Sequence, residues 1–324
     1  MIAPIDTQDA IFVRLPNWVG DVCMSLPSLG LLADTGHPIV VCARPWAKEL
    51  LSGHIQLQGF VHMTGKWATD RHAVSELRRT LPGQARGLLL PDSLSSAAVF
   101  RLGGIPSAGY RDDGRSLLLR WPMKKPPQTL HAVQVWHYLT HHTLTQWGLA
   151  PADTSIAPTL GLGTNSTQHQ QAEEAIRSAG LAGQRFVLIA PTATGLPKGR
   201  VKVWPGFREL TQALLAQNVA VAMCPPPSEL EQARSTVPEA VCLPSLPLGA
   251  FATLTRMSAL VVCNDSGVSH LAAAVNAPQI TLFGVTSPKR TGPWSPQAQC
   301  LGTMDAWPAT QHVLTQVMSH LTGT

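Results

Sequence analysis

One carboxylate stands out because of where it falls in the chain. Asp21 follows an apolar run, residues 11–15, and a Pro16-Asn17 turn, and it opens a stretch with helical spacing. Doubly wound folds bind their ligands beyond the carboxyl ends of such strands. A carboxylate there could take a proton from a substrate hydroxyl as a general base. The alternative is a helix N-cap, which stabilises a helix by about 1 kcal/mol.

A second polar turn follows an apolar run within residues 261–288. Asp265, Ser266 and Gly267 precede a helix of small residues. Because free N–H groups at a helix N-terminus attract phosphates, and small residues let a ligand approach the backbone, this turn predicts a diphosphate cradle. The alternative is that Asp265 or Ser266 only caps the helix. His270, one turn further on, is either a ligand or a structural residue.

The third stretch, residues 188–207, combines hydroxyls with a basic cluster ahead of a helix. These side chains belong to Thr192, Thr194, Lys198, Arg200 and Lys202. Hydroxyls and cations beside a helix are typical of diphosphate sites. The pattern G-x-x-x-x-G-K-[ST] is absent, so this is not a Walker loop. The alternative is an ordinary basic surface loop. We expect Trp204 to pack in the interior rather than to stack on adenine.

Short apolar runs alternate with helical patterns along the whole chain. The predicted strands are residues 11–15, 38–43, 56–61, 87–91 and 107–110, then 185–190, 219–224, 240–243, 260–263 and 279–283. The predicted helices are residues 22–33, 45–51, 70–80, 93–102 and 130–149, then 168–179, 205–217, 227–235, 248–257, 266–276 and 311–321. Strands rich in Val, Ile and Leu, each followed by a helix, indicate parallel sheets covered on both faces. A linker over residues 150–167 divides the chain into two Rossmann-like halves, and we expect the ligand cleft between them.

Composition narrows the function classes. The chain has 324 residues with 44% hydrophobic and 13% charged, which predicts folded domains rather than disorder. The net charge of +5 favours an acidic substrate or surface, and the absence of a basic run with interleaved aromatics argues against a nucleic-acid partner. Six cysteines without a C-x-x-C pair predict free thiols. The N-terminus does not resemble a signal peptide, so we expect a cytoplasmic protein.

Four segments, in this order, carry a resemblance to a known family. PNWVGDVCMSLPSL resembles the N-terminal G-D motif of glycosyltransferase family 9, the heptosyltransferases that build the inner core of lipopolysaccharide. LLLPDSLSSAAVFRLGGIPSAGYR resembles the first domain of the members that add the second heptose. KVWP resembles the K-x-W-P motif, and NDSGVSHLAAAVNAPQITLFGVTSP resembles the D-[ST]-G-x-x-H-x-A-A-A segment. Together they extend from about residue 11 to residue 288.

The resemblance implies an α/β fold of the GT-B class, with two Rossmann-like domains whose parallel sheets face each other across a cleft. Residues 1–155 would bind the acceptor, residues 156–305 would bind the nucleotide sugar, and a helix within 306–324 would cross back to the first domain. The implied reaction is an inverting, metal-independent transfer of heptose from ADP-heptose to the Kdo/heptose–lipid A core. No cofactor is implied, and the chain has no D-x-D pair.

The resemblance also implies roles for individual residues. Asp21 matches the proposed general base, and Asp265 would contact sugar hydroxyls. The implied donor-binding residues are Thr192, Thr194, Lys198, Lys202, Asp265, Ser266, Gly267 and His270. The implied acceptor and cleft residues are Asn17, Trp18, Gly20, Arg111 and Arg115. The matching motifs favour the base over the cap for Asp21, although the two roles are compatible.

Basic residues are concentrated in the first half of the chain. Residues 78–125 contain nine Lys or Arg and three Asp, so the excess, nine minus three, is +6 and exceeds the +5 of the whole chain. This predicts a face that meets acceptor phosphates or an anionic membrane surface, on the inner face of the inner membrane. The alternative is scattered, solvated charge.

Other functions remain compatible with two Rossmann-like halves, because fold alone does not fix function. An NAD-dependent oxidoreductase is disfavoured, since G-x-G-x-x-G does not follow the first strand. A transferase for another NDP-sugar, a sugar-nucleotide epimerase and a non-catalytic sugar-nucleotide binder are the remaining alternatives. The epimerase would need no acceptor, and the binder would not depend on Asp21.

Overall fold

The computed structural model describes residues 9–127, 129–149, 153–195 and 199–323. The chain divides into two compact units, Met1–Ala157 and Pro158–Thr324, and the predicted boundary between residues 155 and 156 lies close to this division. In the described ranges, no helix combines the length and the apolarity that a membrane span requires.

The first unit is a parallel α/β sheet. Its elements are β1 (Ala10–Arg14), α1 (Val19–Met24), α2 (Leu26–Ala33), β2 (Ile39–Ala43), α3 (Trp46–Leu50), β3 (Gly59–His62), α4 (Trp67–Thr80), β4 (Ala85–Leu89), α5 (Leu94–Leu102), β5 (Ser107–Tyr110), a 3₁₀ turn (Arg115–Leu117), β6 (Trp121–Met123) and α6 (Ala132–Trp147). The strands lie in the order β3-β2-β1-β4-β5-β6, and each neighbouring pair is parallel.

The second unit repeats this plan. Its elements are α7 (Ser166–Ser178), β7 (Phe186–Ala190), α8 (Phe207–Leu215), β8 (Ala220–Met223), a 3₁₀ turn (Pro227–Glu229), α9 (Leu230–Thr236), β9 (Val241–Cys242), α10 (Leu248–Met257), β10 (Leu260–Asn264), α11 (Gly267–Ala274), β11 (Gln279–Phe283), α12 (Pro288–Thr291), β12 (Ala298–Gly302) and α13 (Thr310–Thr322). The order is β12-β11-β10-β7-β8-β9, again parallel throughout.

The strand order explains where chemistry can occur. In each sheet the chain forms a central strand first and adds two strands on one side of it. It then returns to the centre and adds three strands on the other side. The chain order therefore reverses between β1 and β4 in the first unit and between β7 and β10 in the second. Ligands bind at the carboxyl ends of the strands beside such a reversal. Asp21 follows β1, Thr192 follows β7 and Asp265 follows β10, so all three predicted residues occupy these positions.

The apolar strands behave as predicted. Every residue of β1 and β2 is buried, as is every residue of β10 and β11. One face of the first sheet packs Phe12, Val40 and Leu89 against Phe100 of α5. The prediction of two Rossmann-like halves with parallel sheets is confirmed.

Several element predictions were wrong in detail. The helix predicted over residues 22–33 is two helices, α1 and α2, which meet at Ser25. Pro27 has no N–H to donate to the carbonyl of Cys23, and the missing bond favours the break at this point. The linker was predicted to reach residue 167, but α7 already begins at Ser166, with Asn165 as its N-cap in a capping box with Gln168.

Two edge strands were not predicted, for a physical reason. β6 reads WPM and β12 reads AQCLG, and neither is a continuous apolar run. An edge strand pairs on one side only, so it tolerates Pro122 and an exposed polar residue such as Gln299. The short helix α12 was also not predicted.

The C-terminal helix α13 belongs to the core of the second unit. Val313 and Val317 are fully buried in one apolar cluster with Leu210 and Leu214 of α8. The apolar spacing over the end of the chain was therefore interpreted correctly as an amphipathic helix. Its crossing to the first domain stays a prediction.

Replacing Val317 with Ala should lower the free energy of unfolding by about 2 kcal/mol, because two buried methyl groups are lost and a cavity remains. The matched control is Ser319→Ala, on the exposed face of α13. Chemical denaturation of both variants measures the difference. Equal stability of the two would show that α13 does not contribute to this core in solution.

Candidate active site

The donor half of the predicted site is built around one buried amide. Asn264, the last residue of β10, is completely buried. Its Oδ1 accepts a hydrogen bond from the Trp204 N–H at 2.8 Å. Its Nδ2 donates to the carbonyl oxygens of Ala190 at 3.2 Å and Thr192 at 3.5 Å. One side chain therefore joins the end of β10, the end of β7 and the segment that leads into α8.

Lys202 and Asp265 meet beside this amide. The Lys202 Nζ lies 3.6 Å from Asp265 Oδ2, and the Thr286 hydroxyl donates to the same oxygen at 2.6 Å. Asp265 is buried and Lys202 is partly buried. Gly284, two residues before Thr286, packs so closely against Trp307 that a Cβ added to Gly284 would lie only 2.0 Å from the ring. This contact holds the Thr286 segment in place. Two residues predicted as separate donor contacts thus form one ion pair.

Thr192 and Thr194 have different environments. Thr192 is buried, and its hydroxyl donates to the Glu229 carboxylate. Glu229 ends the 3₁₀ turn after β8, so this bond joins the ends of two neighbouring strands. Thr194 is exposed and lies beside Gly195, whose φ of +97° favours glycine. Thr192 therefore braces the site, whereas Thr194 remains open to a ligand.

The helix α11 begins at the turn that was predicted to cradle a diphosphate. Ser266 is the N-cap, and its hydroxyl accepts from the Val268 N–H at 3.3 Å, so the capping interpretation of Ser266 is confirmed. Within the described residues the Gly267 N–H has no acceptor, which leaves a backbone donor at the positive end of the helix. His270 is buried within α11, one turn further on.

The other residues predicted in the loop after β7 have structural contacts where the structure describes them. Lys198 lies outside the described residues. Arg200 forms an ion pair with Asp305 at 3.1 Å and donates to the Gly284 carbonyl at 3.2 Å, so it joins this loop to the segments after β11 and β12. Trp204 is buried, stacks edge-on against Phe207, and donates from Nε1 to a backbone carbonyl. The prediction that Trp204 packs in the interior is confirmed.

Asp21 lies in the first turn of α1, and the N-cap position belongs to Trp18. The interpretation of Asp21 as an N-cap is therefore wrong. Among the described residues, the Asp21 carboxylate has no hydrogen-bond or ion-pair partner. Burial raises the pKa of this carboxyl. A partly buried carboxylate without a cation is a stronger proton acceptor than an ordinary aspartate.

The turn before Asp21 is held by a buried arginine. Arg14 ends β1 and donates from Nη2 to the Asn17 Oδ1 at 2.6 Å, and from Nη1 to the carbonyls of Leu15 and Cys42. Asn17 is exposed, and Trp18 is 70% exposed beside it. Of the residues predicted for the acceptor side, Asn17 and Trp18 face solvent. Gly20 is buried in α1.

The two predicted acceptor arginines differ in exposure. Arg111 is exposed at the end of β5. Arg115 is completely buried, donates to the carbonyls of Tyr110 and Pro91, and lies 3.6 Å from Asp92. Its guanidinium therefore offers no surface to an acceptor and instead supports the turn between β4 and α5.

The acidic turn after β5 is paired with a lysine. The Asp112 carboxylate forms an ion pair with Lys125. Lys125 also pairs with Asp92 at 2.6 Å. Burial lowers the pKa of Lys125, but its bonds to Asp112 and Asp92 outweigh burial and raise it. Only part of the predicted basic excess is therefore available at the surface.

Sequence reasoning missed four residues of this region. They are Arg14, Glu229, Asn264 and Thr286. Asn264 and Thr286 lie inside the quoted motif, so their closeness to Asp265 was a usable signal. No local pattern pointed to Arg14 or Glu229. Arg14 contacts Asn17 across a turn, and Glu229 contacts Thr192, which is 37 residues away in the chain.

Replacing Asn264 with Asp should destabilise the second unit by about 2 kcal/mol and weaken the nucleotide binding that the sequence predicts, because a buried acceptor would then face two carbonyl oxygens. Asn276→Asp is the matched control, since Asn276 is exposed and uses only its Oδ1, which accepts from Ser295. Thermal denaturation and calorimetric ADP titration measure both effects. If the two variants behave alike, the amide does not have this structural role.

Known proteins resemble this chain over nearly its whole length. The sequence profile of glycosyltransferase family 9 (heptosyltransferase) matches residues 74–321. Lipooligosaccharide heptosyltransferase 2 of Haemophilus influenzae is 29% identical, over 89% of this chain and 87% of that protein. Lipopolysaccharide heptosyltransferase 1 of Pseudomonas aeruginosa is 32% identical, over 90% of this chain and 73% of that protein.

The fold has the same relatives. The structure of ADP-heptose lps heptosyltransferase II from E. coli superposes with a TM-score of 0.77 at 23% identity, covering 97% of this chain and 99% of that one. The predicted GT-B class is therefore confirmed. By its motifs, its two doubly wound sheets and this family match, the chain is a glycosyltransferase and belongs to glycosyltransferase family 9, the heptosyltransferases.

Proposed function

We propose that this enzyme transfers a heptose from ADP-heptose to the Kdo/heptose–lipid A inner core of lipopolysaccharide, with inversion at the anomeric carbon. The observation that carries the proposal is the Lys202–Asp265 pair at the carboxyl ends of β7 and β10, where a doubly wound sheet binds its ligand. The relatives named as lipopolysaccharide or lipooligosaccharide heptosyltransferases support this choice of reaction.

The departing ADP must be stabilised as negative charge grows on its diphosphate. Lys202 supplies a cation, and the Gly267 N–H supplies a donor at the positive end of α11. A low-dielectric setting strengthens both interactions. The exposed Thr194 hydroxyl adds a third donor. These groups would allow transfer without a metal or another cofactor, and we propose that mode.

Asp265 faces the sugar in this scheme. Thr286 and Lys202 both contact Oδ2, so the carboxylate is held in one orientation. The other oxygen, Oδ1, remains for a sugar hydroxyl. Orientation by two partners reduces the entropy lost when the sugar binds. His270 and Ser266 lie on the same helix turn and would shape the donor pocket.

Asp21 is the proposed general base. Attack on the anomeric carbon requires removal of the proton from the acceptor hydroxyl. The raised pKa of Asp21 and its lack of a cationic partner within the described residues suit that task. Asn17 and Trp18 lie in the preceding turn and would contact the acceptor. An acceptor bearing phosphates and Kdo is anionic, which agrees with exposed Arg111.

This reaction places the enzyme at a membrane. The lipid A part of the acceptor is anchored in a bilayer, so the protein must reach the membrane surface from the side where ADP-heptose is available. We propose a cytoplasmic enzyme that associates peripherally with the inner membrane.

Mass spectrometry of a Kdo–heptose lipid A acceptor incubated with ADP-heptose tests the function directly. Wild-type protein should add one heptose with EDTA present. Replacing Asp21 with Asn should lower kcat about 100- to 10,000-fold, the range for loss of a general base, while ADP binding is retained. Asp34→Asn, at an exposed position in the same unit, should have full activity.

Two further readouts separate a base from a structural carboxylate. Because the base must be ionised, kcat/KM should fall as the pH drops through the raised pKa of Asp21, above the usual value of about 3.9 for an aspartate. Asn at position 21 removes a charge that burial disfavours, so the variant should be at least as stable as wild type at pH 7. A less stable Asp21→Asn variant, or one with full activity, would contradict the assignment.

Replacing Lys202 with Met should weaken ADP binding by about tenfold or more, because a charge-assisted contact to the diphosphate is lost. Lys289→Met is the control, since Lys289 is exposed on α12. Isothermal titration calorimetry with ADP measures both affinities. Unchanged affinity in the Lys202 variant would rule out its contact with the diphosphate.

A further inference from the structure

The exposed apolar side chains of the first unit are unevenly distributed. Among its described residues, the large hydrophobic side chains that face solvent are Trp18 (70% exposed), Trp67 (56%), Leu94 (51%), Leu102 (56%) and Leu117 (93%). All except Leu102 lie on segments that leave the carboxyl ends of β1, β3, β4 and β5. Single exposed hydrophobic residues are ordinary, but four on the same edge of one sheet are not.

Parallel topology brings these four residues to that edge. The carboxyl ends of parallel strands share one edge of the sheet, so the turns after them are neighbours. Leu117 is tied to this edge because the adjacent Ser116 hydroxyl donates to the Arg111 carbonyl at 3.2 Å. Leu102 is the last residue of α5, which runs back to the opposite edge of the sheet before β5. Leu102 is therefore an exposed leucine away from the carboxyl edge, and it serves as a control position.

The segments that carry these side chains are held rigidly. Before Trp67, the Thr64 N–H donates to the Asp70 carboxylate at 2.7 Å and the Gly65 N–H donates to it at 3.0 Å. Arg44 donates to the Thr64 carbonyl at 2.7 Å. These bonds fix the turn and leave Trp67 pointing away from the core. The exposure of these side chains therefore belongs to the folded turns.

The turn before Leu94 is fixed in the same way. The Ser93 side chain caps α5 by accepting from the Ser96 N–H at 3.3 Å. Buried Arg115 donates to the Pro91 carbonyl from the other side. Leu94 is thus presented at the first position of a capped helix.

The charge on this edge is positive. Lys66, Arg111 and Lys124 are exposed and follow β3, β5 and β6. Asp92 and Asp112 do not cancel them, because Lys125 and buried Arg115 balance those two carboxylates. The exposed Asp113 offsets only one of the three cations. Apolar side chains between exposed cations match a surface with anionic headgroups above an apolar interior.

We propose that the carboxyl edge of the first sheet docks on an anionic lipid bilayer, with Trp67, Leu94 and Leu117 entering the headgroup boundary and Lys66, Arg111 and Lys124 pairing with lipid phosphates. The inference rests on the proposed function, because a lipid-anchored acceptor requires a protein at the membrane. Docking on this edge places the Asp21 turn at the level of the headgroups, where the sugar of such an acceptor begins.

Co-sedimentation with sucrose-loaded vesicles tests the docking without any turnover. Wild type should bind phosphatidylglycerol/phosphatidylethanolamine vesicles, more weakly in 0.5 M salt, and should bind phosphatidylcholine vesicles poorly. The double variant Leu94→Ser/Leu117→Ser should bind the anionic vesicles at least about tenfold more weakly, because two apolar insertions are lost. Leu102→Ser, the matched control at the opposite edge, should bind as wild type does.

A charge variant and an activity assay complete the test. Lys66→Glu/Lys124→Glu should reduce binding to the anionic vesicles and remove the weakening by salt that wild type shows, because the attraction is replaced by repulsion. With ADP-heptose, the double-leucine variant should retain activity on an acyl-free, water-soluble core acceptor and lose it on vesicle-embedded acceptor. The docking proposal fails if wild type does not bind, or if Leu102→Ser loses as much binding as the double variant. Vesicle binding without heptose transfer would instead refute the proposed reaction and leave the docking surface standing.

Discussion

The candidate site of the second unit depends on the hydrogen bonds of the Asn264 amide. It is fully buried at the end of β10, and it uses Oδ1 and Nδ2 to hold three chain segments. Buried polar groups that lose a partner cost about 1–3 kcal/mol each, so no segment can shift without breaking bonds to the other two. Thr192 accepts one of these bonds, Asp265 directly follows Asn264, and Lys202 is two residues from Trp204. Their mutual positions are therefore fixed by the fold before any ligand arrives.

The candidate residues of the two units differ in their electrostatics. In the second unit, both basic residues that the structure describes in the loop after β7 are paired, since Lys202 meets Asp265 and Arg200 meets Asp305. In the first unit, Asp21 has no partner among the described residues, and burial raises its pKa. Paired groups suit binding, because their partners hold them in fixed positions. An unpaired carboxylate suits proton transfer, because a nearby cation would lower its basicity.

The sequence was informative where function depends on a local pattern. Strand-to-helix turns with Asp21 and Asp265 could be recognised because both the turn and the carboxylate lie within a few residues. Contacts across the fold could not be predicted, since they depend on which strands are neighbours. Thr192 finds Glu229 only because β7 and β8 pair. Arg115 looked like a surface cation, but the close approach of β5 to the turn after β4 buries it.

The same topology explains how the proposed binding, catalysis and membrane contact could share one edge of a sheet. A doubly wound sheet directs every turn after a strand to one edge, and those turns are free to vary because the core lies below them. Asp21 follows the central strand β1, where partial burial raises the pKa of its carboxyl. Turns after the outer strands carry Trp67 and Leu117, where exposure is tolerated. In the proposed reaction the Asp21 carboxylate must reach a lipid-anchored hydroxyl, so it gains from sharing an edge with side chains that favour lipid. In the proposed arrangement, this edge brings the base and the lipid-contacting side chains together, which the opposite edge of the sheet could not do.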